Sequence, residues 1–595
     1  MLRSGSRSTA PVSWSLRSAV PALWSLTLTV MLLGPLLTSR GYLLLRDAVS
    51  TPRSHPTDSA LGLTDAAARA VPQDAALAWL STVVDGGVAV IAILTLSVWA
   101  AGCGAARLVA VLLPTAGTPA RLVAVTVAIW NPYVTERLLQ GHWSLLAGYA
   151  ALPWTVCAAT AIRRGDHRGW WWLASCLAAA GLTPTGALLA AVTALAVLVA
   201  PGGVPRRAAR TAGAFVSAVV ASSPWIVATI LAGGGTDADP AGVRAFAARA
   251  EPGLGTLGSL AGLGGIWNGD AVPASRSTGW ALVGTALLLI VVVCGLPQLW
   301  RRRRNPVLGA VAVLAAVAIA GPALGATGPG LALGEWAMTH VPGSGLLRDT
   351  QKWVAWAMPL YVLAAAAGIG AVRHRARSSM PVRADAGWAV AAILAVLVAL
   401  PDAAWGVGGR ITPVQYPAAW GTVAEIVDTQ SGDVAVLPAG MFRRFAFSGP
   451  APVLDPAPRM LRADVLQTGT LVVAGGTVDG EGGRAREVEE LLLAGADPSE
   501  LAARGVGWVL VEHGTPGDLG DSRRTLELLD PVFEDGSLGL YRVDGPWVRE
   551  SPPRGPAVAA HLLWLLLLAG GAAGALLPRR RQGRPPVLGA AREQP

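Results

Sequence analysis

The sequence has little charge, few cysteines and almost no lysine. Only 14% of its 595 residues are charged, whereas about 25% is usual in soluble globular proteins, and this excludes an ordinary soluble domain. Lys352 is the single lysine among 47 basic residues. Because all four cysteines lie in apolar segments, we expect no extracytoplasmic disulfide and no thiolate metal site. These cysteines are Cys103, Cys157, Cys176 and Cys294.

Apolar runs of membrane-spanning length recur along the chain, which is 53% hydrophobic and has a mean hydropathy of +0.49. We therefore predict an all-α polytopic membrane bundle of about 12 spans, since one crossing needs about 20 apolar residues. The predicted spans are residues 20–38, 80–101, 118–134, 143–162, 169–183, 185–200, 212–231, 280–299, 305–323, 353–371, 386–402 and 556–577.

Short arginine blocks beside the apolar runs determine the predicted topology. The net charge of +10 would suit nucleic-acid binding, but basic blocks at span ends are what the positive-inside rule produces, so no nucleic-acid partner is expected. We predict a multi-pass plasma-membrane protein with both termini in the cytoplasm. The blocks are residues 163–168, 206–210, 301–304, 373–377 and 579–584.

A long polar stretch between the last two predicted spans indicates an extracytoplasmic α/β domain. Residues 432–438 and 506–514 have the β-branched apolar character of buried strands. Residues 486–505 are predicted to be helical, with Asp497 capping a second helix, and 537–545 to form a last edge strand. The predicted domains are a membrane module at 1–402, a soluble domain at 403–555, and a final span with a basic tail at 556–595.

The first outer loop, residues 39–79, carries an isolated carboxylate. Asp47 lies beside Arg46, and Arg53 and His55 follow it. Neighbouring positive charge favours the ionised form of a carboxyl group. An ionised Asp47 suits a general base for a hydroxyl group, although an interfacial salt bridge fits the same pattern equally well.

The next outer loop begins after an Asn-Pro pair. Asn131 ends the preceding span, and Glu136 and His142 follow on one short amphipathic segment. At helical spacing Glu136 shares a face with Gln140. We expect this segment to contribute polar groups to the same outer site.

The third candidate segment holds the lone lysine. Arg348, Asp349 and Lys352 lie at the outer end of a predicted span. Arg348 and Lys352 are four residues apart, so on a helix both cations share a face. An arginine fork beside an ammonium group is suited to binding phosphate. The alternative is a pair of interfacial anchors that contact lipid phosphates.

These three segments resemble the GT-C glycosyltransferases, with an acid in the first outer loop, an Asn-Pro pair before a charged second loop, and a late LLRDTQKW segment at 346–353. The similarity is to actinobacterial multi-spanning proteins related to the arabinofuranosyl- and mannosyltransferases of cell-envelope assembly. The segments GVGWVLVEHG (505–514) and LGLYRV (538–543) resemble the soluble tail domain of YfhO-like membrane proteins.

The resemblance implies roles for individual residues. Asp47 would be the base, with Glu136 and His142 as partners from the second loop, although many such enzymes pair two adjacent acids where Asp47 stands alone. The residues assigned to the donor phosphate are Arg348, Lys352, Arg46 and Arg53, and those assigned to supporting roles are His55, Asn131 and Asp349.

The predicted function is an extracytoplasmic glycosyltransferase that uses a polyprenyl-phosphate-linked sugar for envelope glycan or glycolipid assembly. The predicted partners are this lipid, a glycan or glycolipid acceptor, and membrane lipids. The sequence has no Walker motif, no His/Cys metal spacing and no glycine-rich dinucleotide loop, so no cofactor is predicted and the need for a divalent metal is left open.

Two alternatives remain open. A lipid or glycan transporter or flippase would need ionisable residues deep within its spans, and the predicted spans have almost none in their middles. A non-catalytic scaffold of an envelope-assembly complex would retain the same fold.

Overall fold

The computed structural model describes residues 16–64, 70–232, 239–376, 384–428, 432–473, 476–478, 480, 482–547 and 552–576. The predicted arginine block at 579–584 lies outside these residues.

Helices dominate the chain up to residue 409. They are α1 (Leu16–Thr38), α2 (Asp58–Leu61), α3 (Gln73–Leu80), α4 (Gly86–Leu112), α5 (Thr118–Ile129), α6 (Pro132–Gln140), α7 (Trp143–Arg163), α8 (Arg168–Ala180), α9 (Pro184–Val199), α10 (Arg207–Leu231), α11 (Ala241–Ala245), α12 (Gly255–Ala261), α13 (Trp280–Val293), α14 (Leu296–Arg301), α15 (Pro306–Gly325), α16 (Gly328–His340), α17 (Met358–Ala376), α18 (Ala384–Ala399) and α19 (Ala404–Gly409). Short 3₁₀ turns occur at Gly269–Ala271, Ala274–Ser277, Ser344–Leu347, Thr350–Ala357 and Pro401–Ala403.

The protein is a multi-pass membrane protein. In the described part of the chain, eight helical segments are long and apolar enough to cross a membrane, and a ninth is a pair bent by 72° at Asp385–Ala399 and Pro401–Gly409. The eight are Ala19–Thr38, Gly86–Leu112, Trp143–Arg163, Arg207–Leu231, Trp280–Arg301, Pro306–Gly325, Thr350–Gly370 and Arg554–Leu576.

The predicted count of about 12 spans is not confirmed. Residues 118–134, 169–183 and 185–200 contain helices of only 12, 13 and 16 residues, shorter than the roughly 20 residues of a full crossing. Two caps explain the breaks, because the side chain of Asn131 caps the start of α6 and that of Thr183 caps the start of α9.

A small sheet domain follows the membrane bundle. Its helices are α20 (Ala418–Ile426), α21 (Ala457–Met460), α22 (Gly483–Ala494), α23 (Pro498–Ala502) and α24 (Ser522–Leu526), and a last helix, α25 (Arg554–Leu576), returns to the membrane. A 3₁₀ turn lies at Ala446–Ser448. Its strands are β3 (Asp433–Leu437), β4 (Phe442–Arg443), β5 (Val453–Leu454), β6 (Val465–Leu466), β7 (Leu471–Val473), β8 (Gly476–Val478), β9 (Val506–Glu512), β10 (Asp530–Glu534) and β11 (Leu538–Arg542).

Five strands form the main sheet in the order β10-β11-β9-β3-β6. β3 is parallel to both β6 and β9, whereas β11 is antiparallel to β9 and β10. The two predicted buried strands are confirmed as β3 and β9, and Asp497 caps α23 as predicted. The predicted edge position of β11 is wrong, because the exposed strand β10 pairs outside it.

A two-strand hairpin joins the membrane bundle to the sheet domain. Its strands, β1 (Leu44–Leu45) and β2 (Ala48–Val49), are antiparallel. Leu44 and Val49 are buried in the core of the sheet domain, beside Trp420, whereas Leu45 and Ala48 are buried in the core of the bundle. Successive strand residues point to opposite faces, so the strands of this hairpin contribute two residues to each of the two cores.

Two of the arginine blocks, residues 163–168 and 206–210, lie at the end of the bundle away from the sheet domain. Arg163 ends α7, and its guanidinium donates to the carbonyl oxygen of Pro201 at 2.6 Å, which places the 206–210 block beside it. The other end of α7, at Trp143, lies at the hairpin side. By the positive-inside rule, we predict that the sheet domain faces the outside.

Cysteine labelling tests this orientation. In a variant without the four native cysteines, Leu528→Cys on the sheet domain, where Leu528 is 66% exposed, should react in intact cells with a reagent that does not cross membranes. Arg303→Cys should react only after the cells are opened. Labelling of Arg303→Cys but not of Leu528→Cys in intact cells would show that the topology is the reverse of the predicted one.

Candidate functional site

A cavity of about 2620 Å³ lies between the membrane bundle and the sheet domain. Of the residues predicted for the site, it is lined by Arg46, Asp47, His55, His142, Arg348, Asp349 and Lys352. Glu136, Arg53 and Asn131 are not among its lining residues. The structure therefore brings together residues that are up to 306 positions apart (352 minus 46).

The hairpin turn presents Asp47 to the cavity. Its other turn residue, Arg46, has a φ of +48°, a left-handed conformation that is uncommon outside glycine. The guanidinium of Arg46 donates to the carbonyl oxygens of Leu139 and Asp270, both at 2.6 Å. Arg46 therefore holds the hairpin against α6 and against the 3₁₀ turn Gly269–Ala271.

Gly141 allows this close approach. It ends α6 with a φ of +87°, and a Cβ at this position would lie 2.3 Å from the backbone nitrogen of Ala48. The Asp47 backbone N–H donates to the carbonyl oxygen of Gln140 at 3.1 Å. The turn of the hairpin and the end of α6 are therefore held together by backbone contact that a side chain at 141 would prevent.

The carboxylate of Asp47 receives two side-chain hydrogen bonds on the same oxygen. Its Oδ2 lies 2.8 Å from His142 Nε2 and 3.2 Å from the Gln140 amide nitrogen. Burial raises the pKa of Asp47, but the bonds from His142 and Gln140 and the charge of Lys352 outweigh burial and leave it below its ordinary value of 3.8. Asp47 is accordingly ionised at neutral pH.

A fully buried arginine connects this carboxylate to the lone lysine. Arg137, on α6, donates to both carboxylate oxygens of Asp349 at 2.7 and 3.1 Å, and it also contacts Gln351. Its Nη1 lies 3.0 Å from His142 Nδ1. Burial raises the pKa of Asp349, but the charges of Arg137 and Lys352 outweigh burial and lower the pKa to about 2.

Lys352 lies on the cavity side of Asp349. Its Nζ is 3.8 Å from Asp349 Oδ2, and its side chain is 25% exposed. The guanidinium of Arg348 lies over the ring of Phe246, 4.5 Å from the ring centre. Such a cation–π contact orients the guanidinium plane. The two predicted phosphate cations therefore both reach the cavity next to Asp349.

Glu136 has a different position from its predicted partners. It is fully buried, accepts a hydrogen bond from the Ile266 N–H at 3.1 Å and another from the Gln351 amide at 3.2 Å. Burial and the carboxylate of Glu251 raise its pKa well above the ordinary value. Its contacts join α6 to the loop before Asn268, behind the cavity wall.

Three further predicted residues have local roles. Arg53 donates to the carbonyl oxygens of Ser54 and Ala78, which holds the first loop to α3. Asn131 caps α6 and donates to carbonyl oxygens at the end of α5. His55 lines the cavity, and burial together with Arg53 and Arg462 lowers its pKa to about 4, so it is neutral.

The prediction omitted three polar residues of this cluster. Arg137 binds Asp349, Gln351 accepts a hydrogen bond from Arg137, and the Asn268 amide donates to Gln140 at 2.8 Å. Gln140 was noted only as a neighbour of Glu136. The sequence signal for Asn268 is the turn-forming segment WNGD at 267–270, but nothing in the sequence links it to α6.

Polar contacts also close the side of the cavity that faces the sheet domain. The carboxylate of Asp464 accepts a hydrogen bond from the Ser59 N–H at 2.7 Å, and Asp58 pairs with Arg554 at 2.6 Å. Burial raises the pKa of Asp464 to about 6. These contacts tie the first loop to the sheet domain and to the start of α25.

Among the described residues, no group of three or more His, Cys, Asp or Glu side chains is arranged to hold a metal ion. All four cysteines are free.

Comparison with solved structures identifies the fold. The chain is similar to the arabinofuranosyltransferase AftD from Mycobacteria, in a class 2 cryo-EM structure, with a TM-score of 0.55 and 18% identity over 90% of this chain and 42% of that one. The class 1 structure gives 0.50 and 14% over the same shares. This chain therefore shares the fold of AftD over 90% of its own length, and it spans about two fifths of the length of AftD.

A weaker similarity is to the oligosaccharyltransferase AglB from Archaeoglobus fulgidus, with a TM-score of 0.40 and 11% identity over 84% of this chain and 70% of that one. No protein-family model and no curated protein sequence matches the chain.

The buried pair of Arg137 and Asp349 can be tested by stability. Asp349→Ala leaves a guanidinium with 0% exposure unpaired, so we expect a loss of about 3–5 kcal/mol in the free energy of unfolding. Thermal unfolding in detergent measures it. Arg137→Met with Asp349→Leu, which removes both charges, should recover most of the loss.

The matched control is the exposed pair Arg523–Glu527 on the sheet domain, whose side chains are 89% and 61% exposed. Glu527→Ala should change stability by less than about 0.5 kcal/mol. Equal effects of Asp349→Ala and Glu527→Ala would contradict the importance given to the buried pair.

Proposed function

We propose that the protein is a membrane-embedded glycosyltransferase that uses a polyprenyl-phosphate-linked sugar on the extracytoplasmic face, for envelope glycan or glycolipid assembly. The observation that carries the proposal is one cavity, lined by the carboxylate of Asp47 and by the cations Lys352 and Arg348, at the ends of apolar helices. The GT-C-like fold, shared with a mycobacterial arabinofuranosyltransferase, supports the class of enzyme.

The position of the two cations suits a lipid-linked donor. Such a donor lies in the bilayer with its phosphate at the interface, and Lys352 is at the start of the candidate span Thr350–Gly370. The donor phosphate would contact the ammonium of Lys352 and the fork of Arg348, which form charge-assisted hydrogen bonds with phosphate oxygens. The polyprenyl chain would lie against the apolar helices.

The chemical step assigned to Asp47 is proton removal. The acceptor hydroxyl gives its proton to the carboxylate of Asp47, and its oxygen forms the new bond to the anomeric carbon. The bond between that carbon and the phosphate oxygen breaks, and the oxygen keeps the electron pair. Lys352 and Arg348 stabilise the polyprenyl phosphate that leaves.

The size of the cavity supports a large acceptor. At about 2620 Å³ it exceeds the roughly 300–1,000 Å³ of small-molecule sites. Its outer wall carries the carboxylates and guanidiniums of the sheet domain, including Asp433, Arg462 and Asp464. Such groups form hydrogen bonds with sugar hydroxyls, so we assign the sheet domain, predicted as residues 403–555, to the glycan or glycolipid acceptor.

The distribution of charge within the spans favours this reading over a transporter. The eight candidate spans contain no aspartate or glutamate, and the ion pairs around Asp47 and Asp349 lie at the helix ends. A transport path would place ionisable residues at membrane depth. If the protein were a scaffold without catalytic activity, no transfer would depend on Asp47. The next experiment distinguishes that case from the proposed enzyme.

Separate measurements of donor binding and sugar transfer test the assigned roles. Lys352→Met preserves the apolar stem and removes the charge, so binding of polyprenyl phosphate to the purified protein should weaken about ten- to hundredfold. Asp47→Asn should leave this binding within about twofold and abolish transfer from polyprenyl-phosphate pentoses or hexoses, because it removes the base and no phosphate ligand.

Arg542→Met is the control, because Arg542 is 55% exposed on the sheet domain and does not line the cavity. It should change neither measurement. Undiminished phosphate binding by Lys352→Met would overturn the phosphate site, and full transfer by Asp47→Asn would overturn the base.

The lowered pKa of Asp47 predicts the pH dependence of transfer. A base must be deprotonated to act, so the rate is lost as pH falls through the pKa of the base. Since this pKa lies below 3.8, kcat/KM should stay flat from about pH 8 to about pH 5. A half-maximal rate near pH 6.5 in the wild-type protein would contradict it.

A further inference from the structure

Arg137 contacts both halves of the candidate site without lining the cavity. On one side it holds Asp349, which in turn lies 3.8 Å from the Lys352 ammonium. On the other side its Nη1 lies 3.0 Å from His142 Nδ1. The side chain of Arg137 is fully buried, so its position is set by these partners and by Gln351.

The contact with His142 determines where the imidazole carries its hydrogen. A guanidinium has only N–H donors and no acceptor. His142 Nδ1 must therefore accept from Arg137, and the hydrogen of a neutral ring lies on Nε2. Nε2 is 2.8 Å from Asp47 Oδ2, so His142 donates to Asp47.

The two oxygens of Asp47 consequently have different environments. Within the described part of the chain, the side-chain hydrogen bonds to Asp47, from His142 and Gln140, both end on Oδ2. The side chain is still 30% exposed, and it lines the cavity. Oδ1 is the oxygen left for an acceptor hydroxyl.

We infer that Arg137 is a positioning residue for transfer: it keeps His142 neutral with its hydrogen on Nε2, so that His142 orients Asp47 and leaves Oδ1 for the acceptor. This inference rests on the proposed function for its catalytic consequence, and on the geometry alone for the state of the imidazole.

The charged groups around His142 agree with a neutral ring. Arg137 faces Nδ1, Asp47 faces Nε2, and Lys352 and Asp349 act from the 3₁₀ segment that packs beside them. Burial lowers the pKa of His142, Asp47 opposes this, and Lys352 and Arg137 lower it further, with a net result below 6.5. A proton added at Nδ1 would also face a donor of Arg137.

Removing the guanidinium should release the ring. The amide of Arg137→Gln can accept as well as donate, so His142 Nδ1 becomes able to carry a second proton. Burial still lowers the pKa of His142, but the ring should become protonated at a higher pH than in the wild type. An imidazolium beside Asp47 makes that carboxylate a weaker base. We expect kcat/KM for transfer to fall about three- to tenfold from pH 7.5 to 5.5, where the wild-type rate is flat.

Two double variants serve as controls. Arg137→Gln with His142→Gln keeps an amide donor for Asp47 but has no group that titrates here, so the acid loss should disappear. Arg137→Gln with Asp349→Asn removes both charges of the buried pair and should show the same acid loss as Arg137→Gln. This second double variant replaces Arg137→Gln in the pH measurement if Arg137→Gln alone does not fold.

Nitrogen-15 NMR of histidine-labelled protein tests the inference without any substrate. One of the seven histidines, identified by its loss in His142→Gln, should keep the shifts of a neutral ring with hydrogen on Nε2 from about pH 5 to 8. The His142 signal should titrate within this pH range in Arg137→Gln and in Arg137→Gln with Asp349→Asn.

The two readouts separate the two claims. A wild-type His142 signal that titrates near pH 6.5, or that shows hydrogen on Nδ1, overturns the positioning role whatever the transfer assay gives. A flat rate profile in both Arg137→Gln variants, with normal transfer in the wild type, overturns it too. The absence of transfer in the wild type beside the expected NMR result refutes only the proposed function.

Discussion

A guanidinium with no exposed surface has to be paired, because a buried charge without a partner is strongly destabilising. Arg137 meets this condition with Asp349, Gln351 and His142, which come from two distant parts of the chain. Satisfying one charge therefore fixes α6 against the 3₁₀ segment that begins at Thr350. The carboxylate of Asp47 and the ammonium of Lys352 take up their positions on either side of this pair.

The same arrangement gives two carboxylates opposite tasks. Asp349 is 4% exposed and neutralises Arg137, whereas the side chain of Asp47 is 30% exposed and faces the cavity. Both have lowered pKa values, since each has cations as neighbours. Access distinguishes them, because the side chain of Asp47 is 30% exposed and that of Asp349 only 6%.

Local patterns were sufficient for much of the fold and for part of the site. Apolar runs identified the long spans, and β-branched runs identified β3 and β9, because each signal is carried by adjacent residues. The count of about 12 spans that the apolar runs predicted is not confirmed, since the Asn131 cap divides the predicted span 118–134, and residues 169–183 and 185–200 contain only short helices. Asp47, His142 and Lys352 line one cavity, but Glu136 is turned away from it. Its direction is set by hydrogen bonds with Ile266 and Gln351, which sequence spacing cannot show.

The hairpin that carries Asp47 limits how the sheet domain could be exchanged for another one. Leu44 and Val49 fill the core of the sheet domain, whereas Leu45 and Ala48 fill that of the bundle. An exchange of the sheet domain for a homologous one would need to carry the matching hairpin residues with it, or leave a void at the junction. An exchange at the predicted boundaries, residues 403 and 555, would leave this third junction unmatched, so the hairpin has to be exchanged together with the sheet domain.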